Sequence, residues 1–353
     1  MIHCYGYATD GPRSSLRLFK FVRRDVGDND IRIDIEYCGV CHTDIHKSHN
    51  DWGNSLFPMV PGHEIVGRVA AVGRNVSRFR IGDYAGVGCI VDSCRRCSSC
   101  LAALPQYCES GPVSTYNSQD RRDGTVTYGG YSTTIVVDEH YAVRIPSKIS
   151  HAAAAPLLCA GVTTYSALRR WNVGHGKRIG IVGLGGLGHL AVKFAKRLGA
   201  EVVAFTRTPS KLAIALELGA DEAICLDDEA AMATVRNSLD FVFDTTPSVH
   251  DLNPLVRVLK RDGTVIMLGS LAPESPMVHS ALLVAGRKSI AGSMIGGIDE
   301  TEAMLEFCVA NDMAADIRLI NIDQINEAFD RMSQGNIFYR FVIDMSSLKT
   351  ARK

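Results

Sequence analysis

Two short stretches hold most of the reactive side chains in the first half of the chain. Cys41-His42-Thr43-Asp44-Ile45-His46 and Gly62-His63-Glu64 offer a thiolate, imidazoles, carboxylates and a hydroxyl. Such groups suit a metal centre, the hydrogen bonds that orient its ligands, and a route for a proton. Cys41 and His63 need a third ligand, and Cys159 is a plausible one because it sits in the hinge ahead of the second domain. On sequence grounds Cys38 and Cys89 compete with it. Two thiolates and one imidazole leave a fourth position open on zinc, which can polarise a carbonyl oxygen or acidify an alcohol. Glu64 is read as close to the metal, or as part of its polar surroundings. Asp44 either orients the imidazole ligand or caps a turn. Thr43, two residues beyond Cys41, can reach whatever fills the open position, and His46 can pass a proton to solvent. His42 and His49 are read as ordinary polar side chains.

Cys94-Arg95-Arg96-Cys97-Ser98-Ser99-Cys100, followed by Cys108, is a second cluster of thiols. Four thiolates so close in sequence make a closed tetrahedral zinc site, and little hydrophobic periodicity surrounds them to order the segment otherwise. A disulfide pair conflicts with a reducing compartment, and iron–sulfur clusters follow other spacings. With no open position the role is structural. Cys4, Cys38, Cys89, Cys225 and Cys308 are isolated in sequence and are read as small buried hydrophobes.

From Arg178 the pattern changes. Arg178–Val182 reads as a buried strand, Gly183-Leu184-Gly185-Gly186-Leu187-Gly188 as a tight turn, and residues 189–198 as a helix. Strand, glycine turn and helix in that order form the dinucleotide-binding fingerprint, in which backbone N–H groups face the pyrophosphate. The alternation continues with strands at 201–205, 222–225, 239–243 and 264–268 and helices at 210–218 and 249–259, which predicts a doubly wound parallel sheet. A helical run is expected from His151 toward Cys159, continuing through Gly161–Tyr165. Where NAD-binding versions place a carboxylate, this chain has Thr206-Arg207-Thr208-Pro209-Ser210-Lys211, two cations among hydroxyls. That set suits a 2′-phosphate, so NADP(H) is expected.

A chain of 353 residues suffices for two domains with separate cores. Residues 1–155 read as a β-rich domain, with Ile31–Ile35 alternating apolar and polar, and 156–295 as the nucleotide domain. Residues 296–353 read as a segment returning to the first domain, through helices at 301–309 and 324–332 and a closing strand at 339–344. Basic and acidic residues balance at 38 each, so no net field draws the chain to nucleic acid or anionic lipid. No signal-peptide pattern or membrane-length apolar run is read, and a cytoplasmic protein is expected.

Taken together, the motifs resemble the zinc-dependent medium-chain dehydrogenase/reductase superfamily, and within it the cinnamyl-alcohol-dehydrogenase-like alcohol dehydrogenases. The likeness rests on Cys38–Asp44, Pro58–Glu64, the four-cysteine lobe, Cys159-Ala160-Gly161-Val162-Thr163, Gly183–Gly188, Gly292–Gly296 and Tyr339–Val342. It implies a GroES-like catalytic domain beside a Rossmann domain. Catalytic zinc would sit on Cys41, His63 and Cys159 with Glu64 beside it, and two thiolates plus one imidazole is the established set for that metal in alcohol dehydrogenases. Structural zinc would sit on Cys94, Cys97, Cys100 and Cys108. The resemblance further implies NADP contacts at Thr163, Gly183–Gly188, Thr206, Arg207, Lys211, Thr245, Ser293, Met294 and Ile295, and a homodimer that reduces aldehydes. Trp52 and Met294 would line the substrate pocket. Plant lignin-pathway members carry an aromatic residue where this chain has Val113-Ser114-Thr115, which points to medium-length or aromatic aldehydes taken broadly. The readings that compete are an NAD-dependent polyol dehydrogenase and a zinc-free nucleotide-binding protein without chemistry.

Overall fold

The computed structural model describes residues 1–269, 278–335 and 339–349. Two compact units emerge, one from residues 1–162 with 295–353 and the other from 163–294.

The first unit is built on the strand Asp30–Gly39. Its alternation places Ile31, Ile33 and Ile35 in the core, and it is paired along both edges in a seven-stranded sheet. The register of that sheet explains how distant residues meet. Cys38 pairs antiparallel with Ile65, so the residues just after Gly39 lie beside those just before Ile65. Val342 pairs antiparallel with Gly39, which brings Arg340 to the same end. Three strand ends therefore converge: the exit toward Cys41, the entry from His63 and Glu64, and the entry from Arg340. The parallel partner Ile317–Asn321 and the helix Ile325–Ser333 close the core on the C-terminal side.

The second unit holds a six-stranded parallel sheet. Its spatial order runs Glu222–Cys225, Glu201–Thr206, Arg178–Val182, Leu239–Asp244, Leu259–Met267, Ser289–Gly292. The chain winds outward from Arg178–Val182 in one direction and then the other. This is the doubly wound arrangement that the sequence pattern predicts, with its switch point beside Gly183.

Several expectations are refined. The helical run through Cys159 is broken: Ala155–Leu158 is a tight 3-10 turn, Cys159 has φ −127° and ψ −75°, and a new helix begins at Ala160. Pro156 lacks the N–H that a continuous helix needs, and the resulting break frees the Cys159 thiol from a helix face. The helix expected at 249–259 spans only Asn253–Val258, because Asp244 and Asp251 hold loop turns ahead of it and Leu259 already begins a strand. Helix Ser280–Gly286 and strand Ser289–Gly292 carry largely exposed side chains and so gave no periodic signal. Among the described residues, no helix is long and apolar enough to cross a membrane.

Candidate functional site

Cys41 ends the turn after Asp30–Gly39 and caps the helix His42–His49. Its backbone N–H donates to Asp44 Oδ2 at 3.0 Å. The same carboxylate, wholly buried, accepts from the Gly62 N–H at 3.1 Å, from His63 Nδ1 at 3.1 Å and from the Tyr131 hydroxyl at 2.9 Å. Both alternatives for Asp44 are thus met in geometry: it caps the helix and it grips the imidazole. With Nδ1 held by a carboxylate, the lone pair of His63 is left on Nε2.

His63 Nε2 lies 3.2 Å from Cys159 Sγ, and Cys159 Sγ lies 4.0 Å from Cys41 Sγ. Cys41, His63, Glu64 and Cys159 all place a ligand atom within 4.8 Å of one another, and all four are buried. Zinc with arms of about 2.3 Å to sulfur separates two thiolates by roughly 3.8 Å, so the spacing fits the ion. Of the competing cysteines, Cys38 turns into the core with Sγ against the Gly39 carbonyl. Cys89 hydrogen-bonds Cys159 from outside the ligand group.

The electrostatics match a site prepared for a cation. A hydrogen bond from the Cys159 thiol, with the imidazole beside it, holds Cys41 well below the usual thiol pKa despite burial. Burial alone would lower His63, but Asp44 outweighs it and holds the imidazole well above its ordinary value. Burial pushes the Glu64 carboxyl up to about 7, against the pull of Arg340. Glu64 Oε1 is bound by the buried Arg340 guanidinium, while Oε2 is buried with no hydrogen-bond partner. A buried carboxylate oxygen without a hydrogen-bond partner, beside thiols and an imidazole, completes a donor set that fits a cation. Gly39 makes the room, since any Cβ there would collide with the Glu64 carboxylate.

Sequence reasoning named Glu64 but not its partner Arg340, 276 positions away, nor Tyr131 on Asp44. Tyr116, immediately after Val113-Ser114-Thr115, was also missed; its ring stacks on His63 with centroids 5.8 Å apart. Only the arginine had a signal, its place in the closing strand. Thr43 is half-buried in the first turn of the helix. His46, one turn on, pairs through Nδ1 with Asp51 Oδ2 at 2.9 Å, and its ring lies 5.4 Å from that of Trp52.

The four-cysteine lobe is arranged differently. Ligand atoms of Cys94, Cys97, Cys100 and Cys108 also fall within 4.8 Å of one another, but three of the four residues are only partly buried. The Cys94 and Cys100 sulfurs are 3.9 Å apart. Backbone N–H groups of Arg96 and Cys97 lower the Cys94 thiol to about 6, and burial raises Cys100 to about 11. Arg95, in the left-handed region at φ 60°, anchors the lobe by ion pairs of 2.9 Å to Asp92 and Asp138.

In the second unit, Gly183 turns at φ 84° and its N–H bonds the Phe205 carbonyl at 2.9 Å. A Cβ on Gly188 would strike the Gly183 carbonyl, whereas the space over Gly185 is open. Leu184 is buried, and Gly186 and Leu187 are half-buried ahead of the helix Gly188–Arg197. That open backbone at a helix start fits a pyrophosphate. Thr206 is buried at its strand end, Arg207 is exposed and Lys211 half-buried. Thr245 donates its hydroxyl to the Val182 carbonyl at 2.7 Å, fastening its loop to the glycine turn. Thr163 is buried; Ser293 and Ile295 are half-buried around the exposed Met294.

Comparison with known proteins places the chain in a family. The alcohol dehydrogenase GroES-like domain family matches residues 27–147, and the zinc-binding dehydrogenase family matches residues 186–310. The chain is 48% identical to aldehyde reductase YahK of Escherichia coli (strain K12), covering 95% of this chain and 96% of that one. It is 47% identical to NADP-dependent alcohol dehydrogenase C 1 of Mycolicibacterium smegmatis, covering 98% of each. Among solved structures, a cinnamyl alcohol dehydrogenase from Sorghum bicolor superposes with a TM-score of 0.95, at 39% identity over 98% of both chains. The chain belongs to the zinc-dependent medium-chain dehydrogenase/reductase family, among its cinnamyl-alcohol-dehydrogenase-like alcohol dehydrogenases.

Proposed function

We propose that this chain is a zinc-dependent, NADP(H)-using alcohol dehydrogenase, working chiefly as an aldehyde reductase on medium-chain or aromatic aldehydes and the matching primary alcohols. The observation that carries the reading is the convergence of Cys41, His63 and Cys159 on one buried point with His63 gripped by Asp44. Zinc bound there supplies a Lewis acid for the carbonyl oxygen, and NADPH supplies the hydride.

The chain's own residues do the rest. Asp44 fixes the His63 ring so that Nε2 faces the ligand cluster. Glu64, held at one oxygen by Arg340, keeps its other oxygen beside the cluster as a further donor. Thr43 Oγ1 holds the substrate oxygen's proton, and His46 exchanges it with solvent. Arg207 and Lys211, with Thr206, hold the 2′-phosphate, while Gly183–Gly188 and Thr245 cradle the pyrophosphate. Thr163, Ser293, Met294 and Ile295 contact the remainder of the cofactor, and Trp52 and Met294 shape the substrate pocket. An aldehyde reductase and an NADP-dependent alcohol dehydrogenase among the relatives support this assignment. We place the protein in the cytoplasm as a homodimer. Residues 1–155 and 296–353 serve as the catalytic domain and 156–295 as the NADP-binding domain.

The test is a panel of aldehydes assayed with NADPH and with NADH. Preferential turnover with NADPH is expected. Equal or better use of NADH would favour the polyol dehydrogenase reading, and absence of turnover together with absence of bound zinc would favour the non-enzymatic one.

A further inference from the structure

The loop after the central strand Leu239–Asp244 contains a buried charged pair that the reading above does not use. Asp244 is wholly buried, and its Oδ1 accepts from the Thr246 N–H at 3.1 Å and the Thr246 hydroxyl at 2.7 Å. Its Oδ2 lies 3.2 Å from His250 Nε2, a close approach with the two atoms imperfectly aligned for a hydrogen bond. On the other side of the ring, Nδ1 lies 2.9 Å from the Ser248 carbonyl oxygen and 3.1 Å from Thr246 Oγ1. A carbonyl can only accept, so Nδ1 carries a proton, and the carboxylate at Nε2 favours a second one. Only 6% of the side chain is exposed, so the second proton would make the ring a buried counter-charge to Asp244. Contact with Asp244 raises the His250 pKa above its ordinary value, against burial and the opposing charge of Arg207.

The loop that joins this pair stands against the phosphate-binding turn through Thr245 and Thr246. A Cβ on Gly183 would be 3.1 Å from the Thr246 methyl and 3.2 Å from the Thr245 hydroxyl. The loop thus flanks the fingerprint at the sheet's switch point, where dinucleotides bind. Charged groups acting on the ring are Asp244, at the end of the strand before its loop, and Arg207, after the strand Glu201–Thr206. Asp251, next in sequence, is occupied with Asn253.

We propose that His250, as an imidazolium, is a positioning residue for NADP(H): it cancels the buried Asp244 carboxylate and keeps the loop beside Gly183 receptive to the cofactor's phosphates. Loss of its proton uncovers a negative charge where anionic groups must settle. The inference rests on the NADP(H) reading of Arg207 and Lys211.

The experiment is a fluorescence titration of the wild-type enzyme and His250→Gln with NADPH and with NADH, from pH 7 upward through the whole alkaline range in which circular dichroism shows the fold intact. In that range the 2′-phosphate is already dianionic, so its own titration does not intrude. Wild-type NADPH affinity should fall by about five-fold as His250 loses its proton, an effect of one partly screened charge. His250→Gln should bind NADPH about that much more weakly at pH 7 and lose the slope, with a smaller change for NADH. A second measurement needs no variant: the His250 imidazole, followed by 15N NMR in the wild-type enzyme, should titrate at higher pH with NADP+ bound than without. Unchanged affinity and slope in His250→Gln, or a bound titration point equal to or below the free one, overturns the inference while NADPH preference stands. If the wild type instead binds NADH more tightly, the NADP(H) reading itself fails and takes this inference with it.

Discussion

Cys94, Cys97, Cys100 and Cys108 come from one continuous stretch, whereas Cys41, His63, Glu64 and Cys159 come from segments that the sheet register brings together. In the first group the chain loops back on itself with few apolar side chains around it, and three of the four residues remain partly exposed. In the second group all members are buried, and each is fixed by something else: Asp44 on His63, Arg340 on Glu64, a helix cap at Cys41, a helix break at Cys159. The difference teaches that a local site can lean on its metal for order, while a site assembled from distant segments must be ordered by the fold first. Removing ligands should therefore unfold one region and silence the other.

The largest effect expected is catalytic. Cys41→Ser or His63→Ala should lower kcat/KM for aldehyde reduction by about a thousand-fold or more while leaving the melting temperature nearly unchanged. Circular dichroism and steady-state kinetics on the same samples check this; a collapse of the fold would erase the contrast between the two clusters.

Cys97→Ser should behave in the opposite sense. Because metal binding to a closed site is folding energy for the loop around it, the variant should melt about 5–10 °C lower. It should also become susceptible to limited proteolysis between residues 92 and 112. Retained resistance there would show that the lobe orders itself without zinc.

A smaller effect is expected at Asp44. Asp44→Asn keeps the shape but weakens the grip on His63 Nδ1, and should reduce zinc affinity at the buried centre by about 10- to 100-fold. Competition with a chelator of known affinity measures it, and the lobe's zinc should be unaffected.

The smallest effect concerns the ion pair that anchors the lobe. Burial works to raise the Asp138 carboxyl, but hydrogen bonds from His140 and the Arg95 guanidinium outweigh it and hold it below the usual carboxylate range. A folded-state pKa below the unfolded value contributes stability at neutral pH, lost as the pH falls through the depressed value. The difference in melting temperature between wild type and Asp138→Asn should thus be constant from pH 7 to 5 and shrink below about pH 4, the ordinary aspartate range. A difference that persists unchanged at low pH would mean that packing, and not charge, anchors the lobe.

How far the sequence revealed these regions follows from the same contrast. The four-cysteine lobe and the glycine fingerprint are legible because their spacing is local and their chemistry is tied to residue type. Cys41 and His63 could be paired because each sits in a short polar cluster at a strand end. Arg340 on Glu64 and Tyr131 on Asp44, separated by 276 and 87 positions, depend on strand register, which no local pattern encodes. Gly39 ends the strand Asp30–Gly39, but that its missing side chain makes room for Glu64 depends on a contact 25 positions away that no local pattern encodes. The helix break before Cys159 has a local signal, Pro156, which removes a backbone donor from the run, although the alanines and leucines around it favour helix.

A crystal of the purified enzyme, with anomalous scattering recorded above and below the zinc absorption edge, tests the account most directly. Two peaks per chain are predicted, one among the sulfurs of Cys94, Cys97, Cys100 and Cys108 and one touching Cys41 Sγ, His63 Nε2 and Cys159 Sγ. A peak at the lobe alone, from enzyme that still reduces aldehydes, would contradict it.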